Sequence, residues 1–560
     1  MAGKGSAIAN RTIACVAAGW VLCVGSASLH LKADATHVDG SQGISQVAPP
    51  AGLFDLSSNC MACHNTLSTS AGEDISFGPA WRASMMANSA RDPYWHAAVR
   101  REIIDHPSAA AEIEDECSIC HMPMARTQAM ALGRKGEIFA HLPIGAVTTP
   151  EAALAADGVG CTMCHQITAE RLGTPESFTG GFVIDTRPNS NPRDIFGPFP
   201  VQTGQAAVMH SATGFAPVES QHIRQSELCA TCHTLYTHAR GPAGEVLERF
   251  PEQVPYLEWR HSAYVKEQSC QSCHMPVVEE PTRMASVLGE LREGVARHSF
   301  RGGNFFMLGM LNRYRNELGV QATSLEMDAA VRETLQSLQS DSARLIIDRA
   351  DVSNGRLDID VSVANLTGHK LPTAYPSRRA WLHVTVRDAA KNVVFESGAI
   401  TPEGRIVGND NDDDGSRFEP HHTEIRRGED VQIYESVMGD PAGRVTTGLL
   451  TGTQYLKDNR LLPRGFDKAT AHPDIAVYGQ AARDPDFTAD GDRIRYSVDL
   501  ASARGPFTVE VELLFQPIAF RWAHNLEPYE APETERFLGY YRSMASSSWA
   551  PLGRASITVR

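Results

Sequence analysis

Cys270-Gln-Ser-Cys273-His274-Met275-Pro276 is the last of five Cys-x-x-Cys-His stretches. The others are Cys60-Met-Ala-Cys63-His64, Cys117-Ser-Ile-Cys120-His121, Cys161-Thr-Met-Cys164-His165 and Cys229-Ala-Thr-Cys232-His233. Two thiols one helical turn apart reach the two vinyl groups on one edge of a porphyrin, and the histidine that follows lies under the iron. A redox Cys-x-x-Cys or half of a zinc site would explain one copy. Neither requires the histidine, which stands in place five times out of five, and a disulfide framework does not require it either. The reading is five covalent c-type haems, with the ten motif cysteines as attachment points and His64, His121, His165, His233 and His274 as proximal iron ligands. Of the 12 cysteines only Cys15 and Cys23 are left over, both in an N-terminal apolar segment.

That segment sets the compartment. Lys4 and Arg11 precede an apolar run from Ile13 to Val24, and small residues follow. Residues 1–35 therefore read as a secretory signal peptide or as a retained N-terminal anchor that tethers the chain to a membrane. Either places the body in the periplasm or another extracytoplasmic space, where covalent haem attachment is completed.

The first motif cysteines stand at 60, 117, 161, 229 and 270, so the haems are at most 68 residues apart. That is too little polypeptide for a side-chain core around each cofactor, and the porphyrins themselves must fill the interior. Residues 36–300 are thus expected to form a haem-packed, mostly helical and irregular cytochrome c domain. Weak repetition supports this: His121-Met-Pro123 recurs as His274-Met-Pro276, and Trp81-Arg-Ala-Ser84 as Trp259-Arg-His-Ser262. In the first pair the proline should end the haem helix. The Pro-, Gly- and Asn-rich stretch 174–201 reads as a surface loop.

Residues 301–342 read as a helical connector, with Thr323-x-x-Glu326 as a capping box. From 343 the hydrophobic period becomes two. Leu357, Ile359, Val361 and Val363 alternate with Asp358, Asp360 and Ser362, and Phe507, Val509, Val511, Leu513 and Phe515 behave alike. Seven to nine such strands over 343–560 predict a β-sandwich-like domain. The fold class is multidomain α+β.

Distal iron ligands are drawn from the remaining histidines. His210, His261 and His298 share a His-Ser context, and His141 follows them. For the fifth place His96, His106, His369 and the Met85-Met86 pair compete. His369, in Gly368-His-Lys-Leu-Pro-Thr373 at the end of a predicted strand, would let a loop of the β part cap an iron. His421-His422 reads as a polar surface pair. Asp410-Asn-Asp412-Asp-Asp414-Gly415 has the opening of an oxygen-rich Ca2+ loop, although His421 stands where an EF-hand needs glutamate.

The charge balance is 51 basic against 66 acidic residues, −15 overall, and no basic stretch stands out, so nucleic acid binding by counterion release has little to work with. Protein redox partners, a donor and an acceptor, are the expected company.

The chain resembles exported multihaem c-type cytochromes with a cytochrome c-552/4-type haem domain. The carriers are Ser226-Glu-Leu-Cys-Ala-Thr-Cys-His-Thr-Leu-Tyr236, Glu252-Gln-Val-Pro-Tyr-Leu-Glu-Trp259 and the last motif. In the β part they are Gly368-His-Lys-Leu-Pro-Thr373 and Asp458-Asn-Arg-Leu-Leu-Pro-Arg-Gly-Phe466. The resemblance implies an electron carrier or a redox subunit. Two functions follow: electron transfer through five haems in an exported respiratory chain, or a multihaem reductase of a small nitrogen or sulfur compound at one open iron. Pentahaem nitrite reductases usually carry Lys in place of one motif histidine, and all five motifs here end in His. That departure favours the carrier, with no catalytic residue assigned.

Overall fold

The computed structural model describes residues 52–560, apart from 188–191 and 242. The expected leader or anchor, with Cys15 and Cys23, lies outside the described residues. Helices and sheets occupy largely separate stretches, an α+β arrangement. Among the described residues no helix is long and apolar enough to cross a membrane.

The motif-bearing half is built from short pieces. Four motifs sit on helices of four or five residues: Ser57–Met61, Cys161–Cys164, Ser226–Ala230 and Cys270–His274. The remaining one ends the longer helix Ala110–His121, and Pro123 opens the next helix, Pro123–Ala131. Proline lacks the N–H that a continuing helix needs, but suits a first helical position. The helix therefore stops at the ligand. Helix Pro93–Asp105 is started by Asp92, whose carboxylate accepts the N–H groups of Tyr94 and Trp95. The stretch 174–201 is more than a surface loop, because its strand Arg193–Gly197 pairs in parallel with Phe215–Glu219.

Helices Phe305–Arg313 and Ser324–Asp341 follow. Thr323 and Glu326 close the capping box, with Thr323 N–H donating to the Glu326 carboxylate at 2.9 Å.

Beyond 343 the chain forms a seven-stranded and a four-stranded sheet. In the smaller, Arg356–Asn365 lies between Ala343–Ser353 and Asp492–Asp499. In the larger, Arg379–Arg387 and Phe507–Gln516 pair centrally, and Ala550–Val559 flanks them. Leu357, Ile359, Val361 and Val363 share one buried apolar cluster with Val384, Val386, Val509 and Val511 of the other sheet. Two-residue strands such as Glu424–Ile425 and Val445–Thr446 raise the count above the seven to nine read from alternation. They are too short to carry a period.

Contacts run across the expected domain boundaries. Helix Pro532–Met544 packs on Pro93–Asp105, with Arg100 paired to Glu533 at 2.9 Å. Buried Glu102 accepts the N–H groups of Leu449 and Leu450 at 2.8 and 3.3 Å.

The acidic stretch at 410–415 does not converge on a cation site. Asp412 makes a buried bidentate pair with Arg379 at 2.8 and 2.9 Å, and Asp410 pairs with Arg417 at 2.7 Å. Asp413 pairs with Arg405, and Asp414 caps Ser416 at 2.9 Å. The Ca2+ expectation is not supported: these carboxylates already have arginine or local partners.

Asp412→Ala would leave the Arg379 guanidinium, 1% exposed, without its counter-charge. It is expected to lower unfolding stability by about 3–5 kcal/mol, read as a drop in the urea midpoint at unchanged m-value.

Candidate haem-binding site

Ring tautomers are fixed before any metal is considered. The Nδ1 atoms of His64, His121 and His165 lie 2.7, 3.0 and 2.6 Å from the carbonyl oxygens of Met284, Ser89 and Phe196. His274 Nδ1 bonds the Arg301 carbonyl in the same way. A carbonyl only accepts, so Nδ1 carries the proton and Nε2 keeps its lone pair. Burial pushes His121 and His233 down to about 4 and lowers His64, His165 and His274 as well. All five are neutral at pH 7, the form that binds a metal.

Two motif histidines face a second imidazole. The His165 and His298 ring centres are 6.3 Å apart with planes 14° from parallel. Those of His274 and His369 are 6.2 Å apart and 17° from parallel. A metal–nitrogen bond of about 2 Å on each side, plus about 1 Å from each nitrogen to its ring centre, sums to ~6 Å. His298 and His369 also place Nδ1 on a backbone carbonyl, Ala296 at 3.1 Å and Lys370 at 2.9 Å. Burial holds both at about 4. Each pair thus offers two neutral imidazoles at the separation that one iron requires.

The thiols are grouped as well. All ten motif cysteines are free. Cys60 lies beside Cys161, Cys120 beside Cys232, and Cys229 beside Cys270. Cys164 is within electrostatic reach of Cys232. The groups on motifs one and three, and on four and five, are built alike. Ser57, three residues before Cys60, accepts the Cys161 N–H at 3.0 Å, and Ser226, three before Cys229, accepts the Cys270 N–H at 3.0 Å. Trp81 donates to the carbonyl of Val159, two residues before Cys161, at 3.0 Å. Trp259 donates to that of Gln268, two before Cys270, at 2.9 Å. Ser84 and Ser262 each turn back onto the preceding tryptophan's carbonyl. The Trp-Arg-x-Ser echo therefore belongs to a duplicated two-motif module, with the second motif inserted in the first copy. The opposed histidine falls on the later motif in each module, His165 and His274.

Among the other distal candidates, His261 directs Nε2 to the Asp467 carbonyl at 2.9 Å. His210 is exposed on helix Thr203–Thr213, and His141 is half-buried near Glu114, Glu137 and Glu151. Neither is set against a motif ring among the described residues. His96 Nδ1 and His106 Nε2 are buried atoms without a hydrogen-bond partner, and the charge of His121 is felt at His96. Trp95 stacks on the His121 ring at 4.2 Å. His233 has no opposed ring among the described residues. The charges of His274 and Arg378 are felt at its ring.

His421 is not a surface residue. It is buried with Asp484 and Asp492, and Nε2 lies 2.9 Å from one carboxylate and 3.9 Å from the other. Its Nδ1 is met by the amide nitrogens of Gln432 and Asn459 at 2.9 and 3.1 Å. The amide oxygens are pinned by the N–H groups of His422 and Glu435, so neither amide is free to flip. Nδ1 is therefore an acceptor and Nε2 donates to Asp484. The ring has no lone pair left for a metal, and the cluster is a hydrogen-bond network. Sequence reasoning missed it because its five members, His421, Gln432, Asn459, Asp484 and Asp492, come from separate segments.

A solved structure, a penta-heme cytochrome c552 from Thermochromatium tepidum, is similar to this chain at 16% identity. It covers 90% of this chain and 98% of its own, with a TM-score of 0.48. No protein-family model matches the chain, and no curated protein matches it.

Burial pushes the Asp492 carboxyl up to about 7, and one of its oxygens has no partner. The folded state therefore holds a proton that the unfolded chain releases near 4, and stability falls as pH rises from about 4 to 7. Asp492→Asn removes that loss. The variant is expected to match the parent protein near pH 4 and to exceed it at pH 8 by up to ~4 kcal/mol, from about three pKa units at 1.36 kcal/mol each. Thermal midpoints at the two pH values give the comparison.

Proposed function

We propose that this chain is an exported c-type cytochrome that binds five haems and carries electrons between a protein donor and a protein acceptor. What supports the reading most is that two motif histidines, His165 and His274, each stand opposite a second neutral imidazole at the spacing one iron demands. Haem, once bound, supplies reversible one-electron exchange at its iron.

The chain's own residues do the rest. The paired thiols of each motif would anchor one edge of a porphyrin, and the motif histidine would ligate its iron. His298 and His369 would supply a second imidazole to two of the irons. The Nδ1–carbonyl bonds orient the rings that make them, at four motif histidines and at His298 and His369, and make them stronger donors, which favours low potentials. The attachment points adjoin in the order first, third, fourth, with the second and fifth both beside the fourth. The layout is branched and does not follow the sequence. In this reading residues 36–300 are the haem-packed domain, 301–342 a helical connector and 343–560 a β-sandwich-like domain that lends a ligand. Residues 1–35 export the chain or tether it.

One observation favours the second reading, a reductase of a small nitrogen or sulfur compound. Among the described residues His233 has no opposed ring, and the Arg378 guanidinium is within electrostatic reach of it, which would favour an anion at an open iron.

Pyridine haemochrome assay of the matured protein is expected to return five haems per chain; two or fewer would overturn the cofactor reading. Carbon monoxide added to the reduced protein separates the two functions. An unchanged low-spin spectrum supports the carrier, and a high-spin fraction that binds the gas supports the reductase. His298→Ala is expected to convert one low-spin iron into a gas-binding one.

A further inference from the structure

Two segments of the strand-rich half, Gly368-His-Lys-Leu-Pro-Thr373 and Asp458-Asn-Arg-Leu-Leu-Pro463, lie against each other. Leu371 and Leu461 exchange backbone hydrogen bonds at 2.9 Å in both directions. Four charged side chains fill the space between these segments and helix Pro255–Arg260: Glu258, Lys370, Asp458 and Arg460, all buried. Lys370 Nζ meets Asp458 at 2.7 Å. Arg460 grips Asp458 with two bonds, 2.9 and 2.7 Å, and pairs with Glu258 at 2.9 Å. Two cations balance two carboxylates, so the buried set is neutral.

Burying four charges is a poor way to gain stability, since well-packed apolar residues would do as well. Directional charge-assisted bonds are what such a set adds. Glu258 brings one such bond to a single peptide unit. The second oxygen of Glu258 accepts the Lys370 N–H at 3.1 Å and the Thr373 hydroxyl. On the other side of the same peptide, the His369 carbonyl accepts from Asn365 Nδ2 at 2.7 Å and from Thr367 Oγ1 at 2.8 Å. The peptide joining His369 to Lys370 is thus clamped at its N–H and at its C=O. The next carbonyl, that of Lys370, takes the His369 Nδ1. Backbone and ring orientation are both fixed, with His369 aligned on His274.

We propose that the Glu258–Lys370–Asp458–Arg460 network positions His369 as an axial ligand, and that Glu258 is its positioning residue, setting ligation and potential at the fifth-motif iron. This rests on the haem reading above.

The test compares spin state, carbon monoxide binding and midpoint potential in the five-haem protein and its variants. His369→Ala is the reference and should make about a fifth of the haem high-spin and gas-binding. Glu258→Gln should convert part of that same fifth and raise the potential of that iron, at unchanged haem content. Glu258→Gln with Arg460→Gln keeps the buried charge balanced, and Thr373→Val removes only a hydroxyl; both are fold-tolerant variants expected to move the same signal. If these variants hold five low-spin haems at parent potentials while His369→Ala responds, the positioning role is refuted and the ligand stands. If His369→Ala itself changes nothing in a five-haem protein, the ligand assignment falls and the positioning role with it. A chain that carries no haem refutes the cofactor reading instead.

Discussion

A hydrogen bond from imidazole Nδ1 to a backbone carbonyl is the interaction on which the site depends. It recurs at four motif histidines and at both opposed ones. It settles the tautomer, aims the ring and leaves Nε2 basic in a desolvated interior. The carbonyls come from elsewhere in the chain: Met284 serves His64, Ser89 serves His121 and Phe196 serves His165. Loops that look like connection are therefore part of the site, and this explains why so short a polypeptide per motif needs such long irregular segments.

Duplication organises the rest. The serine that caps a partner cysteine, the tryptophan that ties down the carbonyl before it, and the serine that folds back on that tryptophan recur with the same offsets around motifs one and three and around four and five. The second copy takes its opposed histidine from the strand-rich half and the first takes His298 from the same half of the chain as its motifs. Similar local chemistry has thus been completed from two unrelated sources.

Much of this was legible in the sequence, and the limits have physical causes. The motifs state their own chemistry because five residues carry all of it. Strands such as Arg356–Asn365 announce themselves by alternation, whereas Glu424–Ile425 has too few residues to alternate. The Trp-Arg-x-Ser echo is visible in sequence, but the serine that completes the module stands 104 residues from the cysteine it caps in one copy and 44 in the other. His210, His261 and His298 look alike locally, and what separates them is the group across from each ring. The acidic run at 410–415 has the spacing of a cation loop, while Arg379, Arg405 and Arg417, which claim its carboxylates, are recognisable only once folded. His421 misleads for the same reason.

The clamp on the His369–Lys370 peptide has a consequence for biogenesis. Cys270 and Cys273 emerge about midway through synthesis, and Asp458 and Arg460 follow nearly two hundred residues later. In the proposed cytochrome the fifth attachment can be chemically complete while its upper coordination still waits for the carboxy-terminal strands to fold. Maturation is then ordered in time: thioether chemistry first, closure of the last iron only when the whole chain has been translated and packed. A chain clipped before those strands would leave the fifth-motif iron without its second imidazole.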